Sequence, residues 1–82
     1  MKNYIYNSEV GTFEILHKGY LDYQLWIGEE LLGEYQTAEH AAEDVATFNT
    51  DYVEWDRFKN ELENFPKNLT EWTAVTEERP RQ

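Results

Sequence analysis

The first half of the chain alternates apolar and polar residues with a period of two. Phe13 and Ile15 fall on one side, Thr12 and Glu14 on the other. Tyr23, Leu25 and Ile27 alternate in the same way with Gln24 and Trp26. That period marks half-buried β-strands. Tyr4-Ile5-Tyr6 and Leu31 to Gln36 supply two further strand segments. Between them stand turn residues: Asn7-Ser8-Glu9 with Gly11, then Lys18-Gly19, then Gly28-Glu29-Glu30. Connections this short force neighbouring strands to run antiparallel. Gly33, inside the last strand, points to a bulge or to a close backbone approach.

After Thr37 the period changes. Ala38, Ala41, Ala42, Val45 and Phe48 recur at helical spacing, with Glu39, Glu43, Asp44 and Thr47 opposite. The Thr37 hydroxyl is a good N-cap, and Glu39 sits in the first turn, where the helix dipole favours an anion. The small side chains of the stripe let this helix lie close on a sheet. Residues 51–75 carry a weaker signal. Tyr52, Trp55, Phe58 and Leu62 fit one face of a second helix from about Asp51 to Asn64, within which a short helix over Glu54–Glu63, ended by Pro66, is expected. They also fit a coil whose aromatics fold back over the sheet. Asn68 caps a single docking turn that carries Leu69 and Trp72. The pattern therefore predicts an α+β fold. A three- or four-stranded antiparallel β-meander packs on one α-helix, and a short C-terminal helical or coil segment closes the core. Residues 1–76 are expected to form one domain, and 77–82 a flexible tail.

Composition changes this picture in two ways. The formal net charge is −10, from 17 acids against 7 bases, a composition that disordered chains share. The three Trp, six Tyr and four Phe argue for a folded chain, because buried aromatics give a small domain a usable core. Charge is also unevenly placed. Residues 19–56 contain no Lys or Arg but hold ten carboxylates, among them Glu29, Glu30, Glu34, Glu39, Glu43 and Asp44. A one-sign field repels nucleic acid and anionic membranes and attracts cationic partners. There is no cysteine, hence no disulfide framework and no thiolate metal site. The absence of such staples in a small domain points to the cytoplasm. No apolar run is long enough to span a bilayer.

The inventory leaves little room for catalysis. Ser8 is the only serine, and no nucleophile–base arrangement can be built around it. His40 with Glu43 or Asp44 is the one candidate acid–base pair, and His40 with Asp44, one helical turn apart, the one candidate metal pair. Zinc needs more ligands than that. No catalytic residue, cofactor or metal is expected. Trp26 is more informative. Its alternation sets it opposite Leu25 and Ile27. It therefore lies on an open sheet face as a binding anchor, unless residues 52–75 cover it.

The run Leu32-Gly33, Tyr35, Thr37, Glu39, Ala41-Ala42, following the Trp26 hairpin, resembles the strand–strand–helix signature of plant AP2 and phage-integrase N-terminal DNA-binding domains. The resemblance covers residues 23–42 and implies a three-stranded sheet on an Ala-rich helix. It does not bring DNA binding, which in that family uses sheet arginines. Here Glu29, Glu30 and Glu34 stand instead. Leu25-Trp26-Ile27, Leu31-Leu32-Gly33, Trp55-Asp56 and Leu69 with Trp72 are also similar to features of short uncharacterised bacterial proteins of unknown function. The expectation is a non-enzymatic acidic module. Its partner would be a basic protein surface, met through Glu29, Glu30, Glu34, Glu39, Glu43, Asp44 and Trp26, with nucleic-acid mimicry as one version. The alternative is a self-associating domain with the face around Trp26 as its homodimer interface.

Overall fold

The computed structural model describes residues 2–76. Four strands form the expected meander: β1 (Lys2–Ser8), β2 (Gly11–Gly19), β3 (Asp22–Ile27) and β4 (Glu30–Tyr35). A fifth strand, β5 (Thr73–Thr76), pairs antiparallel with β1 and completes a five-stranded sheet of order β4-β3-β2-β1-β5. The expected tail, 77–82, lies outside the described residues.

Local chemistry sets the turns. Ser8 Oγ donates to the Gly11 carbonyl and accepts the Val10 amide, closing the β1–β2 turn. Gly28, at φ 56°, takes the left-handed conformation that the β3–β4 turn requires. Gly33 meets the expectation of a bulge, while the group that approaches it closely is a side chain rather than backbone. β4 bulges beside it, since Leu25 pairs with Gly33 while Trp26 pairs with Leu31, leaving Leu32 as the extra residue. A Cβ at Gly33 would also stand 3.1 Å from the Tyr35 hydroxyl oxygen. The missing side chain is what lets the Tyr35 ring fold back over its own strand.

Helix α1 (Ala38–Ala46) begins as expected, with Thr37 Oγ1 accepting the His40 amide at 3.1 Å. All five stripe residues, Ala38, Ala41, Ala42, Val45 and Phe48, are buried. The helix ends in a Schellman-type turn: the Phe48 amide donates to the Val45 carbonyl and the Asn49 amide to that of Asp44. Phe48 therefore adopts φ 58°, a conformation usually left to glycine. Its ring stacks on Trp55 at 4.8 Å and meets Phe65 edge-on at 5.0 Å, which offsets the backbone cost.

The helix expected over Glu54–Glu63 is much shorter. Helix α2 spans only Val53–Asp56, and turns follow. The Asp56 carboxylate looks backwards and accepts from the Thr50 amide and hydroxyl and from the Asp51 amide, between 2.8 and 3.1 Å. Asn60 then turns left-handed at φ 71°. The segment follows the alternative of a coil whose aromatics return to the sheet. Asn68 caps the predicted docking turn, a 3-10 turn over Leu69–Glu71.

The core lies between one sheet face and these segments. Phe13, Ile15, Leu25 and Ile27 from the strands meet α1, Phe48, Trp55 and Trp72. Phe13 touches both tryptophans, at 5.2 Å and 6.4 Å, and Tyr6 stacks beside it. The Trp55 Nε1–H donates to the Val45 carbonyl at 3.0 Å and pins α2 to α1. Trp72 is equally enclosed, but its Nε1–H has no acceptor among the described residues.

Candidate functional site

The other sheet face follows from the same register. Cross-strand partners point to the same side. Leu31, Trp26, Glu14, Ile5 and Thr73 therefore form one row across all five strands. Beside it run Glu34, Gln24 and Leu16 on β4, β3 and β2, with Asn3 and Val75 on β1 and β5. Leu31 and Trp26 are direct partners in the first row, and from Trp26 onward the apolar positions meet diagonally between the two rows. Leu31, Trp26, Leu16, Ile5 and Val75 so make a zigzag strip over the full sheet, about 19 Å wide at the usual strand spacing. Leu31 is 42% and Val75 39% exposed, and the other three are partly exposed.

Residues 52–75 do not cover Trp26, because Trp55 and Trp72 bury themselves on the opposite face. Instead its Nε1–H donates to Gln24 Oε1 at 3.0 Å, which fixes the indole on the open side.

The acidic set is divided by the sheet. Glu34 is exposed on the open face, and Glu29 and Glu30 stand at the β3–β4 hairpin end. Glu39 and Glu43 are exposed on α1, which packs on the inner face, so they project away from the opposite side of the molecule. Trp26 and Glu34 share a surface that Glu39 and Glu43 do not. Glu14, which the sequence reading did not single out, lies directly between Trp26 and Ile5. Alternation with Phe13 and Ile15 puts it on the open face, and the pairing register puts it beside Trp26.

Two carboxylates serve the fold. Asp44 accepts the Tyr35 hydroxyl at 2.7 Å, and Asp56 holds the Thr50 turn. Burial raises the Tyr35 phenol above its ordinary pKa. The Asp44 bond and the charges of Asp44, Asp51 and Asp56 add to the shift. Tyr6 is raised as well, by burial and then by Glu9. The other eight carboxylates of residues 19–56 are exposed.

The histidines sit apart. His40 is exposed near the start of α1, and His17 stacks on Tyr23 at 4.4 Å. Of the two carboxylates paired with His40 in the sequence, Asp44 is engaged by Tyr35 and Glu43 is exposed. Among the described residues no group of three or more His, Asp or Glu stands ready to hold a metal ion. No helix among them is long and apolar enough to cross a membrane. An open cleft of about 420 Å³ beside the end of α1 is floored by Phe48, Leu62 and Phe65, with Lys59 as its only charged lining residue. No protein-family model, curated protein or solved structure matches the chain.

Proposed function

We propose that the protein is a small, non-enzymatic, cytoplasmic binding module that engages a basic protein surface through its acidic charge. One observation carries the reading: the carboxylates of residues 19–56 stand exposed, apart from Asp44 and Asp56, with no Lys or Arg between them. Solubility alone calls for interspersed charges of both signs. A field of one sign raises the encounter rate with a cationic partner and turns nucleic acid away. Mimicry of nucleic-acid phosphates, with displacement of nucleic acid from a basic groove, is one form this takes.

The test is co-purification from a bacterial lysate at low and moderate salt. It is followed by affinity measurement on the purified partner with a variant carrying Gln at Glu29, Glu30, Glu34, Glu39 and Glu43. Asp44 is left in place because it holds Tyr35. A discrete basic partner, released as salt screens the charges and bound at least tenfold more weakly by the variant, is the expected result. An empty eluate at both salts, or a partner indifferent to the Gln variant, overturns the reading.

A further inference from the structure

Resting on that reading, we infer that the partner docks on the open face of the sheet rather than on α1. The occupant is a cationic protein segment that sets aliphatic or aromatic side chains among its arginines and lysines. The argument is one of complementarity. The strip Leu31–Trp26–Leu16–Ile5–Val75 offers apolar contact across five strands. Contiguous apolar surface left open on a folded domain marks an interaction site. Glu14 stands within one row of that strip and Glu34 within the other, each directly beside a strip residue or its neighbour. A partner that only neutralised charge would leave the strip wet. One that was only apolar would bury Glu14 and Glu34 unpaired, at a large desolvation cost. A second copy laid face to face would bring a second set of the same carboxylates to one shared surface.

Helix α1 lacks this combination. Its apolar residues Ala38, Ala41, Ala42 and Val45 are spent on the core and only the small Ala46 stays partly exposed, so Glu39 and Glu43 have no large apolar side chain beside them on their helix. Aromatic anchors beside paired charges are where binding energy concentrates. Trp26 is held ready for that role, since its bond to Gln24 orders the ring before a partner arrives.

The experiment uses two synthetic peptides of equal length and equal arginine count. One alternates Arg with Leu; the other alternates Arg with Ser. Binding to the full chain is followed by the indole N–H signals of its three tryptophans. The Trp26 signal is expected to shift with the Arg–Leu peptide while that of Trp55, bonded inside the core to Val45, stays still. The Arg–Leu peptide should bind about tenfold more tightly than the Arg–Ser peptide, and Trp26→Ala should remove that advantage. Glu14→Gln with Glu34→Gln should weaken binding several-fold more than the charge-matched pair Glu54→Gln with Glu61→Gln. Binding equal for both peptides, or equally weakened by the two charge pairs, overturns the docking site. So does a Trp26 shift produced by raising protein concentration alone, which would make a second copy the occupant. Binding that leaves the Trp26 signal still and is weakened by Glu39→Gln with Glu43→Gln would overturn the docking site and leave the acidic-module reading intact. No binding of either peptide at low salt would defeat both.

Discussion

The inner and outer faces of the sheet draw on alternate residues of the same strands, and they differ in how completely each is satisfied. Inside, Phe13, Ile15 and Leu25 are wholly enclosed, and Trp55 closes over them with its indole N–H bonded. Outside, Trp26, Leu16 and Ile5 are of similar hydrophobic character, but they lie outside the core and stay partly exposed. Among the described residues α1, the short α2 and the aromatic coil all pack on the same side. A small domain buries a modest share of its surface, so one face of a two-sided sheet is left to other uses.

Removing the equivalent ring from each face should separate them most clearly. Trp55→Ala is expected to cost about 3–5 kcal/mol, a large part of the stability of a domain this size. Trp26→Ala, on the open face, should cost about 1 kcal/mol or less. Urea unfolding midpoints for the two variants check this. Similar losses would mean that Trp26 is as enclosed as Trp55.

A finer comparison lies within the core. Trp55→Phe gives up a bonded N–H and leaves the Val45 carbonyl without that donor, at about 1–2 kcal/mol. Trp72→Phe instead sheds a buried N–H that has no acceptor among the described residues. It should lie within about 1 kcal/mol of the parent, because relief of the unpaired donor offsets lost ring contact. A Trp72→Phe variant weaker than Trp55→Phe would contradict the contrast.

The smallest effect is a pH dependence. Tyr35 holds its proton more tightly when folded than when unfolded, so its contribution is intact below the unfolded value of 10.0 and declines as pH rises above it. Stability measured at several pH values from about 9 to 11 should fall, and Tyr35→Phe should flatten that fall. The Tyr6 share, raised in the same direction, should remain in the variant.

The fold was legible wherever its cause was local. The α1 stripe repeats at helical spacing, and all five of its residues are buried. Gly33 announced a bulge or a close backbone approach; the bulge occurs, and the close neighbour is the Tyr35 ring instead. β5 escaped because Thr73–Thr76 is four residues long, uncharged and without repeated alternation. Its partner strand lies at the other end of the sequence. The length of α2 escaped because the Asp56 carboxylate reaches back to Thr50, a tertiary choice that Tyr52, Trp55, Phe58 and Leu62 do not advertise. The candidate site was half legible. Trp26 could be placed by alternation alone. That Glu34 and Glu39, five positions apart, project from opposite sides of the molecule depends on the turn between β4 and α1.

The pairing of Lys2 with Thr76 also bears on how the chain is made. During synthesis β1 emerges first and gains β2 almost at once, yet its other edge stays unpaired until Thr76 has left the ribosome. Over the same interval Tyr6 and Phe13 await Trp72, the ring that finally meets both. The nascent protein therefore passes through a stage with a bare strand edge beside exposed aromatics, where association with other chains competes with completion of the sheet.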